Sequence, residues 1–527
     1  MDGKNYPAVE PPFGLRPALL VLFTGLLIQC QGCGSSSHGG SESSTSRIQE
    51  ATVQATANPL VAQYAVTITA PGSIVVEFGP DQTYQYKTSA QPVPAPGGTA
   101  TLLVAGMKAN STYHLRAVVT YSDGSQTLDS DHVFQTGTIP TQRIPAMKVT
   151  STPGASPAPG VELMSLTIGN ANQLLALATD PAGNVIWYYD YDPNLGIPQP
   201  IKLLPNGHML LVLYGVGAPG GTVQEIDLAG NVINQFDYNQ LGQKLKAAGY
   251  NINVFSIDHD FVLLPNGHLL LIVSDTKTFT DLSGYPGQTV VTGNAIVDLD
   301  VNRNPVWVWD AFDHLDVNRH PMLFPDWTHA NALVYSQDDG NLLFSLRHQS
   351  WVLKIDYANG NGAGDVIWKL GYQGDFTLSS DQISDWFYAQ HDANIMSPNS
   401  TGNIQLAMFD NGDDRPVDNG GTLCAGLVQP QCYSTAAIFQ IDENARTASR
   451  WWSFTTPYSW WGGNVRELPN SNMFLDETAP GDLNLTGSRV LEVTQSPNPA
   501  VVWQMEIDNQ NSYRTIHLPS LYPEVQW

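Results

Sequence analysis

Three histidines stand among acidic and amide side chains at the head of apolar runs. They lie in Asp258-His259-Asp260-Phe261, Asp326-Trp327-Thr328-His329-Ala330-Asn331 and Tyr388-Ala389-Gln390-His391-Asp392. An apolar stretch from Asn341 to Leu346 then delivers Arg347. His329 and Asn331 are two residues apart, hence on one side of a regular extended strand. Imidazole, amide and guanidinium converging through adjacent strands would cradle a tetrahedral oxyanion, since each carries N–H donors. An imidazole with a free lone pair can also act as a nucleophile. The same residue types admit a metal-dependent hydrolase or lyase, in which His259, His329 and His391 hold a divalent ion with Asp258, Asp260, Asp326 and Asp392. Arg347 weighs against that, because a guanidinium beside a cation is unfavourable.

These side chains need strands to carry them, and the composition supplies strands. Of 527 residues only 13% are charged, while Gly (46), Pro (36) and aromatics are plentiful, which favours an all-β chain. The length exceeds one ordinary core and implies two or more units. Residues 56–138 alternate polar and apolar in short runs, the pattern of a small β-sandwich. Within it, Gly106 to Arg116 resembles the loop and strand of fibronectin type III modules, with Tyr113 as a corner tyrosine tied to local backbone. A Pro-rich linker, 139–160, follows.

From 161 to 527 an irregular repeat appears. One half is a turn before an apolar strand, as in Leu204-Pro205-Asn206-Gly207, Leu264-Pro265-Asn266-Gly267 and Leu468-Pro469-Asn470-Ser471. The other half is a strand, a polar turn and a Trp-rich strand, as from Val297 to Trp309 and from Val352 to Trp368. Six such units predict a six-bladed β-propeller, with His259, His329 and His391 facing one end of its central channel. Two stretches break the pattern: 239–249, read as a short helix, and the His/Asp-rich insertion 310–326. His208 and His268 read as surface turn residues, and His314, His320, His348 and His517 as structural. Gly215, Gly217 and Gly220 match a dinucleotide-binding pattern, but Pro219 interrupts it and Thr222 onward continues as strand, so it reads as a hairpin loop.

Residues 1–33 read as an export signal, with Lys4 and Arg16 before an apolar core from Ala18 to Ile28. Gly32-Cys33 and the polar tether that follows, 34–55, are similar to a lipoprotein cleavage site, which makes Cys33 the lipid-anchored residue and the membrane a partner through that lipid. The expected location is the periplasm or cell envelope. In an exported chain Cys424 and Cys432 read as a disulfide. The net charge of −25 repels phosphate backbones and argues against nucleic-acid partners.

Residues 255 to 410 resemble the bacterial arylsulfate sulfotransferases, the exported type that uses no nucleotide donor. The resemblance rests on the three histidine motifs, Ser345-Leu346-Arg347-His348-Gln349-Ser350, and Phe409-Asp410-Asn411-Gly412 with Arg415. It implies a six-bladed propeller with an N-terminal β-sandwich, no cofactor, an aryl sulfate donor and a phenolic acceptor, and leaves a homodimer open. Carried over by motif, His391 is the nucleophile that takes the sulfuryl group as a sulfohistidine. His259, His329, Asn331 and Arg347 bind its oxygens and the bridging phenolic oxygen. The family's later hydroxyl-bearing residue has no match, since Gly462-Gly463-Asn464-Val465-Arg466 offers no Ser or Thr. A non-catalytic, envelope-anchored binding protein remains the alternative, because a propeller does not dictate function.

Overall fold

Alternating burial builds the N-terminal unit. In Ala62–Ile68 and Thr112–Tyr121 every second residue is buried, so each strand offers one face to a shared core. Ile48–Ala55, Ala62–Ile68 and Gly98–Val104 form one sheet, and a second forms around Gly72–Gly79 and Thr112–Tyr121. The Lys108 amide donates to the Tyr113 hydroxyl (3.0 Å), the local tie expected of a corner tyrosine. This computed structural model describes residues 47–167, 172–215, 219–380, 382–396, 402–417, 422–424, 431–484 and 486–527. The export signal, Cys33, the tether as far as residue 46 and Gly217 lie outside the described residues.

Two expected boundaries are corrected. The tether was to run to residue 55 and the sandwich to begin at 56, yet Ile48–Ala55 is already a sandwich strand. Its burial is weakly patterned, so alternation does not announce it. The linker also contains a strand, Met147–Ser151, paired with Val501–Ile507. Met147 and Val149 pack there against buried core residues, and the added strand covers an otherwise open sheet edge.

Among the described residues beyond the linker, six sheets each hold a four-stranded antiparallel run. The first strands of sheets two to six are Ile197–Leu203, Val254–Leu263, Ala330–Tyr335, His391–Ile395 and Asn464–Glu467. Sheet one takes its corresponding strand from the C-terminus, Ser512–Leu518, paired with Val161–Leu166. These strands touch their neighbours in order, and the ring closes where Met473–Thr478 of sheet six meets Ser512–Leu518. The result is an all-β, propeller-like array. Its turns follow from local chemistry. In Leu204-Pro205-Asn206-Gly207 the Gly207 amide donates to the Leu204 carbonyl (2.9 Å), with Gly207 at φ +83°. Asp180 and Asp227 each accept backbone amides two and four residues on, shaping the polar turns before the outer strands.

The helix expected over 239–249 is Tyr238–Ala247, opened by a reciprocal cap between Asp237 and Gln240. Leu241 and Leu245, one turn apart, are its buried face. Met209–Tyr214 and Thr222–Ile226 pair as an antiparallel hairpin, so the glycines between them precede a strand, not a helix. Among the described residues no helix is long and apolar enough to cross a membrane.

The C-terminal tail holds the sandwich to the ring. The Tyr522 hydroxyl donates to the Leu103 carbonyl (2.8 Å) and accepts from the Ala105 amide (2.7 Å). Trp527 packs against Phe78 and Tyr86. Tyr113→Phe removes the acceptor of the half-buried Lys108 amide; it should cost about 1–2 kcal/mol in denaturant unfolding, with transfer chemistry intact.

Candidate active site

Interruptions of regular strand geometry set the three histidines. Sheet three shifts register between Ile257 and Phe261, sheet four between Ala330 and Ala332, and sheet five between His391 and Asn394. Left-handed backbone falls within two of these shifts, at His259 (φ +60°) and Asp392 (φ +53°), and just before the third, at His329 (φ +45°). Such bulges re-aim side chains and are common beside reactive sites. The His259 and His329 rings lie 4.8 Å apart, and Tyr513 of the C-terminal strand is 6.0 Å from His259 and 6.2 Å from His391. Arg347 opens a single turn at the end of Leu342–Leu346. The sequence-derived residues thus come together at one end of the ring, though bulges replace the regular alternation expected of His329 and Asn331.

His391 is buried, and its tautomer is set by two neighbours, Asn411 on Nδ1 and the Gly462 amide on Nε2. Its Nδ1 lies 2.7 Å from Asn411 Oδ1, while Asn411 Nδ2 donates to the carbonyls of Ser459 (2.7 Å) and Gly462 (3.1 Å). With both amide hydrogens spent on carbonyls, Oδ1 must face the ring, so Nδ1 carries the proton and Nε2 keeps its lone pair. The Gly462 amide approaches Nε2 at 3.3 Å. Burial first, then the charge of Arg347, pushes the His391 pKa well below its ordinary value, so the ring is neutral near pH 7. Neutral, with its lone pair on Nε2 engaged by the long Gly462 amide bond, the ring can attack once that bond yields.

Arg347 is held from three sides. Nη2 meets Asp413 Oδ2 (2.6 Å) and donates to the Trp460 carbonyl (2.9 Å), and Nη1 donates to His348 Nε2 (2.6 Å). His348 in turn donates from Nδ1 to the Asp326 carbonyl (2.6 Å). Burial is the main cause that pushes His348 down to about 3, which keeps Nε2 an acceptor for the guanidinium. His329 donates from Nδ1 to Asp326 Oδ2 (2.6 Å), and burial lowers its pKa as well. The His329 and His348 rings stack 4.5 Å apart.

Asp258 Oδ1 stands 3.2 Å from His259 Nδ1 without hydrogen-bond alignment. Burial pushes Asp258 up, but His259 and the hydroxyls of Ser256 and Ser274 outweigh it and hold the carboxyl below its usual range. Asn331 is fully buried, with its Nδ2 committed to the Gln390 carbonyl (2.7 Å); it braces the residue before His391.

Sequence reasoning missed His348, read as structural, and gave no role to Asn411, Asp413 or the Gly462 amide. Asn411 did stand in the quoted Phe409-Asp410-Asn411-Gly412 stretch, and His348 is adjacent to Arg347. The gap at Gly462 also has a physical basis: a Cβ there would stand 2.4 Å from Thr478 Oγ1, so no larger residue fits. Asp326, His329 and His348 could bring ligand atoms within 4.8 Å of one another. Both His348 nitrogens are already committed and one touches a guanidinium, so this donor set fits a hydrogen-bond relay better than a cation.

Comparison with known proteins points to one family. The model of the arylsulfotransferase (ASST) family matches residues 155–514. The arylsulfate sulfotransferase AssT of Escherichia coli is 22% identical over 280 residues, which cover 42% of this chain and 44% of that protein. The match therefore spans less than half of that relative. Among solved structures, a mutant of the Synechocystis apocarotenoid oxygenase overlaps at a TM-score of 0.28 and 11% identity, covering 89% of this chain and 94% of that one. A quinonprotein alcohol dehydrogenase-like protein from Bacteroides thetaiotaomicron overlaps at a TM-score of 0.30 and 10% identity, covering 86% and 94%.

In ¹⁵N-histidine spectra His391 should show the neutral Nδ1–H tautomer unchanged from pH 8 to 6, because its pKa is depressed below that window. Asn411→Leu should weaken the tautomer preference, leaving the Gly462 amide alone to favour it; a His391 signal titrating near pH 6.5 in the native protein would contradict the assignment.

Proposed function

The chain belongs to the arylsulfotransferase family, and we propose that it moves a sulfuryl group from an aryl sulfate ester to a phenolic acceptor through a sulfohistidine at His391. The observation that carries this reading is the His391 ring: buried, neutral, with Nδ1–H given to Asn411 and Nε2 unprotonated, accepting the Gly462 amide at 3.3 Å.

In the first half-reaction the Nε2 lone pair attacks sulfur, an N–S bond forms, and the S–O bond to the aryl group breaks. Its electron pair leaves on the phenolate oxygen. Sulfuryl transfer resembles phosphoryl transfer in its loose transition state, with charge on the peripheral oxygens, so fixed donors contribute more than covalent assistance. Arg347 is the strongest of them; the His259 and His329 rings, 4.8 Å apart, line the same site. In the second half-reaction the acceptor oxygen bonds to sulfur as the N–S bond breaks and the pair returns to Nε2. His329 Nε2 takes the acceptor's proton, and Asp326 stabilises the resulting imidazolium through Nδ1–H. The proton then passes to solvent, balancing the phenolate released earlier. Asn331 acts through backbone, by fixing Gln390 ahead of the nucleophile.

Export and lipid anchoring at Cys33 belong to the same reading. They are supported by the Gly32-Cys33 motif and by the Cys424–Cys432 disulfide, which suits an oxidising compartment. Cys33→Ser should move the protein from the membrane fraction to the soluble fraction.

Brief mixing with 4-nitrophenyl sulfate should add one sulfuryl group to a peptide containing His391, and phenol should remove it. His391→Ala should lower turnover by more than about 10³-fold, and Arg347→Met by about 10²–10³-fold, the scale of losing a preorganised charge-stabilising donor. Native protein that gives neither adduct nor nitrophenol would overturn the reading.

A further inference from the structure

We infer that Trp460, with Trp461 beside it, is the platform on which the aryl ring of the substrate stacks. This rests on the reading of the site as a sulfuryl-transfer centre and names what recognises the organic half of the ester.

The segment Ser459–Gly463 is pinned by its backbone to the reactive residues. Asn411, which orients His391, donates to the carbonyls of Ser459 and Gly462. Arg347 donates to the Trp460 carbonyl, and the Gly462 amide faces His391 Nε2. Gly462 (φ +64°) and Gly463 (φ +96°) make the tight return that this requires. At Gly463 a Cβ would come within 2.7 Å of the Phe409 ring and 2.8 Å of the Asp476 carbonyl. The backbone is therefore fixed where the sulfuryl chemistry happens, while the Trp460 side chain is 45% exposed. The two indoles lie 5.8 Å apart, tilted by 52°.

Of the other aromatics, Tyr214 and Tyr513 lie against the His259 ring, 5.4 and 6.0 Å from it, and three more are spent on packing. Trp327 is buried with its indole N–H on the Arg319 carbonyl, Trp386 stacks on Phe439, and the Tyr388 hydroxyl donates to the Ile383 carbonyl. Trp451 is 54% exposed but stands on Thr447–Pro457, the strand of sheet five's antiparallel run farthest from His391–Ile395. Trp460 alone combines exposure with a direct backbone bond to Arg347. An aryl sulfate needs this arrangement: its ring is one C–O–S linkage from the anionic group, so a guanidinium and a flat apolar face must lie one side-chain length apart. Stacking also attracts substrate independently of charge, which matters in a chain of net charge −25 that repels anions at long range.

The test measures binding separately from catalysis, on the full-length His391→Ala protein, with phenyl sulfate and cyclohexyl sulfate as probes. Adding Trp460→Ala should weaken phenyl sulfate about 3- to 10-fold and cyclohexyl sulfate less than about twofold. Trp460→Phe should retain the preference for the planar ring, and Trp451→Ala should change neither. In otherwise native protein, Trp460→Ala should raise KM for 4-nitrophenyl sulfate by the same factor with kcat within about twofold. Equal weakening of both probes, or none, overturns the platform while leaving sulfuryl transfer intact. If the parent binds neither ester and native protein transfers no sulfuryl group, the reading of the site falls and the platform with it.

Discussion

Arg514 is the buried charge around which the site is assembled. Its Nη1 lies 3.2 Å from Asp392 and 3.4 Å from Asp260, and its Nη2 donates to the Asn331 carbonyl at 3.1 Å. Those partners flank the three histidines: Asp260 follows His259, Asp392 follows His391, and Asn331 lies two residues beyond His329. Burial disfavours the guanidinium's charge, but Asp392 and Asp260 more than offset that cost. Lys202 on Asp260 and Arg466 on Asp392 complete the cluster. Buried pairs of this kind contribute little net stability, because desolvation cancels much of the attraction, yet losing one partner costs about 3–5 kcal/mol. Such a cluster enforces one arrangement. Strands from sheets three, four and five cannot slide relative to Arg514 without stranding a charge.

Arg514 lies on Ser512–Leu518, the last strand of the chain, which pairs with Val161–Leu166 near the start of the ring. Closing the ring is therefore the same event as delivering Arg514 to its carboxylates and Tyr513 to its place between His259 and His391. The residues just beyond, Tyr522 and Trp527, fasten the sandwich. One C-terminal segment thus completes the first sheet, the charged centre beneath the histidines and the seat of the N-terminal unit.

What could be read from the sequence was what neighbours in the chain decide. Leu-Pro-Asn-Gly and Asp-x-x-Gly-Asn turns close on their own backbones, so they announced the hairpins, and the helix cap at Asp237 and Gln240 is equally local. The histidines were legible because imidazole at the head of an apolar strand is chemically conspicuous. Strand bulges were not, since the left-handed backbone at His259 and Asp392 follows from the register of pairing with the next strand, which residue types alone do not reveal. The same holds for Asn411, whose value to His391 depends on carbonyls some fifty residues further on. Ile48–Ala55 and Met147–Ser151 are strands because partners wait for them; their own alternation is weak.

Arg347 shows how the site stays cationic inside an acidic protein. Its partner Asp413 is buried enough for its pKa to rise to about 6, so the carboxylate that steadies the guanidinium is itself reluctant to hold full charge. The His348 contact supplies a neutral acceptor, and the Trp460 carbonyl another. The buried Arg347 Nε has no partner among the described residues. Positive potential therefore remains for an incoming sulfuryl oxygen. The same charge also keeps His391 unprotonated, because an imidazolium beside a guanidinium is disfavoured. In the mechanism we propose, one fixed cation performs two tasks that would otherwise compete: attracting an anionic electrophile and preserving the lone pair that attacks it. A lysine would hold the charge but could not span His348, Asp413 and Trp460 with a planar fork, which is why the residue type matters as much as its sign.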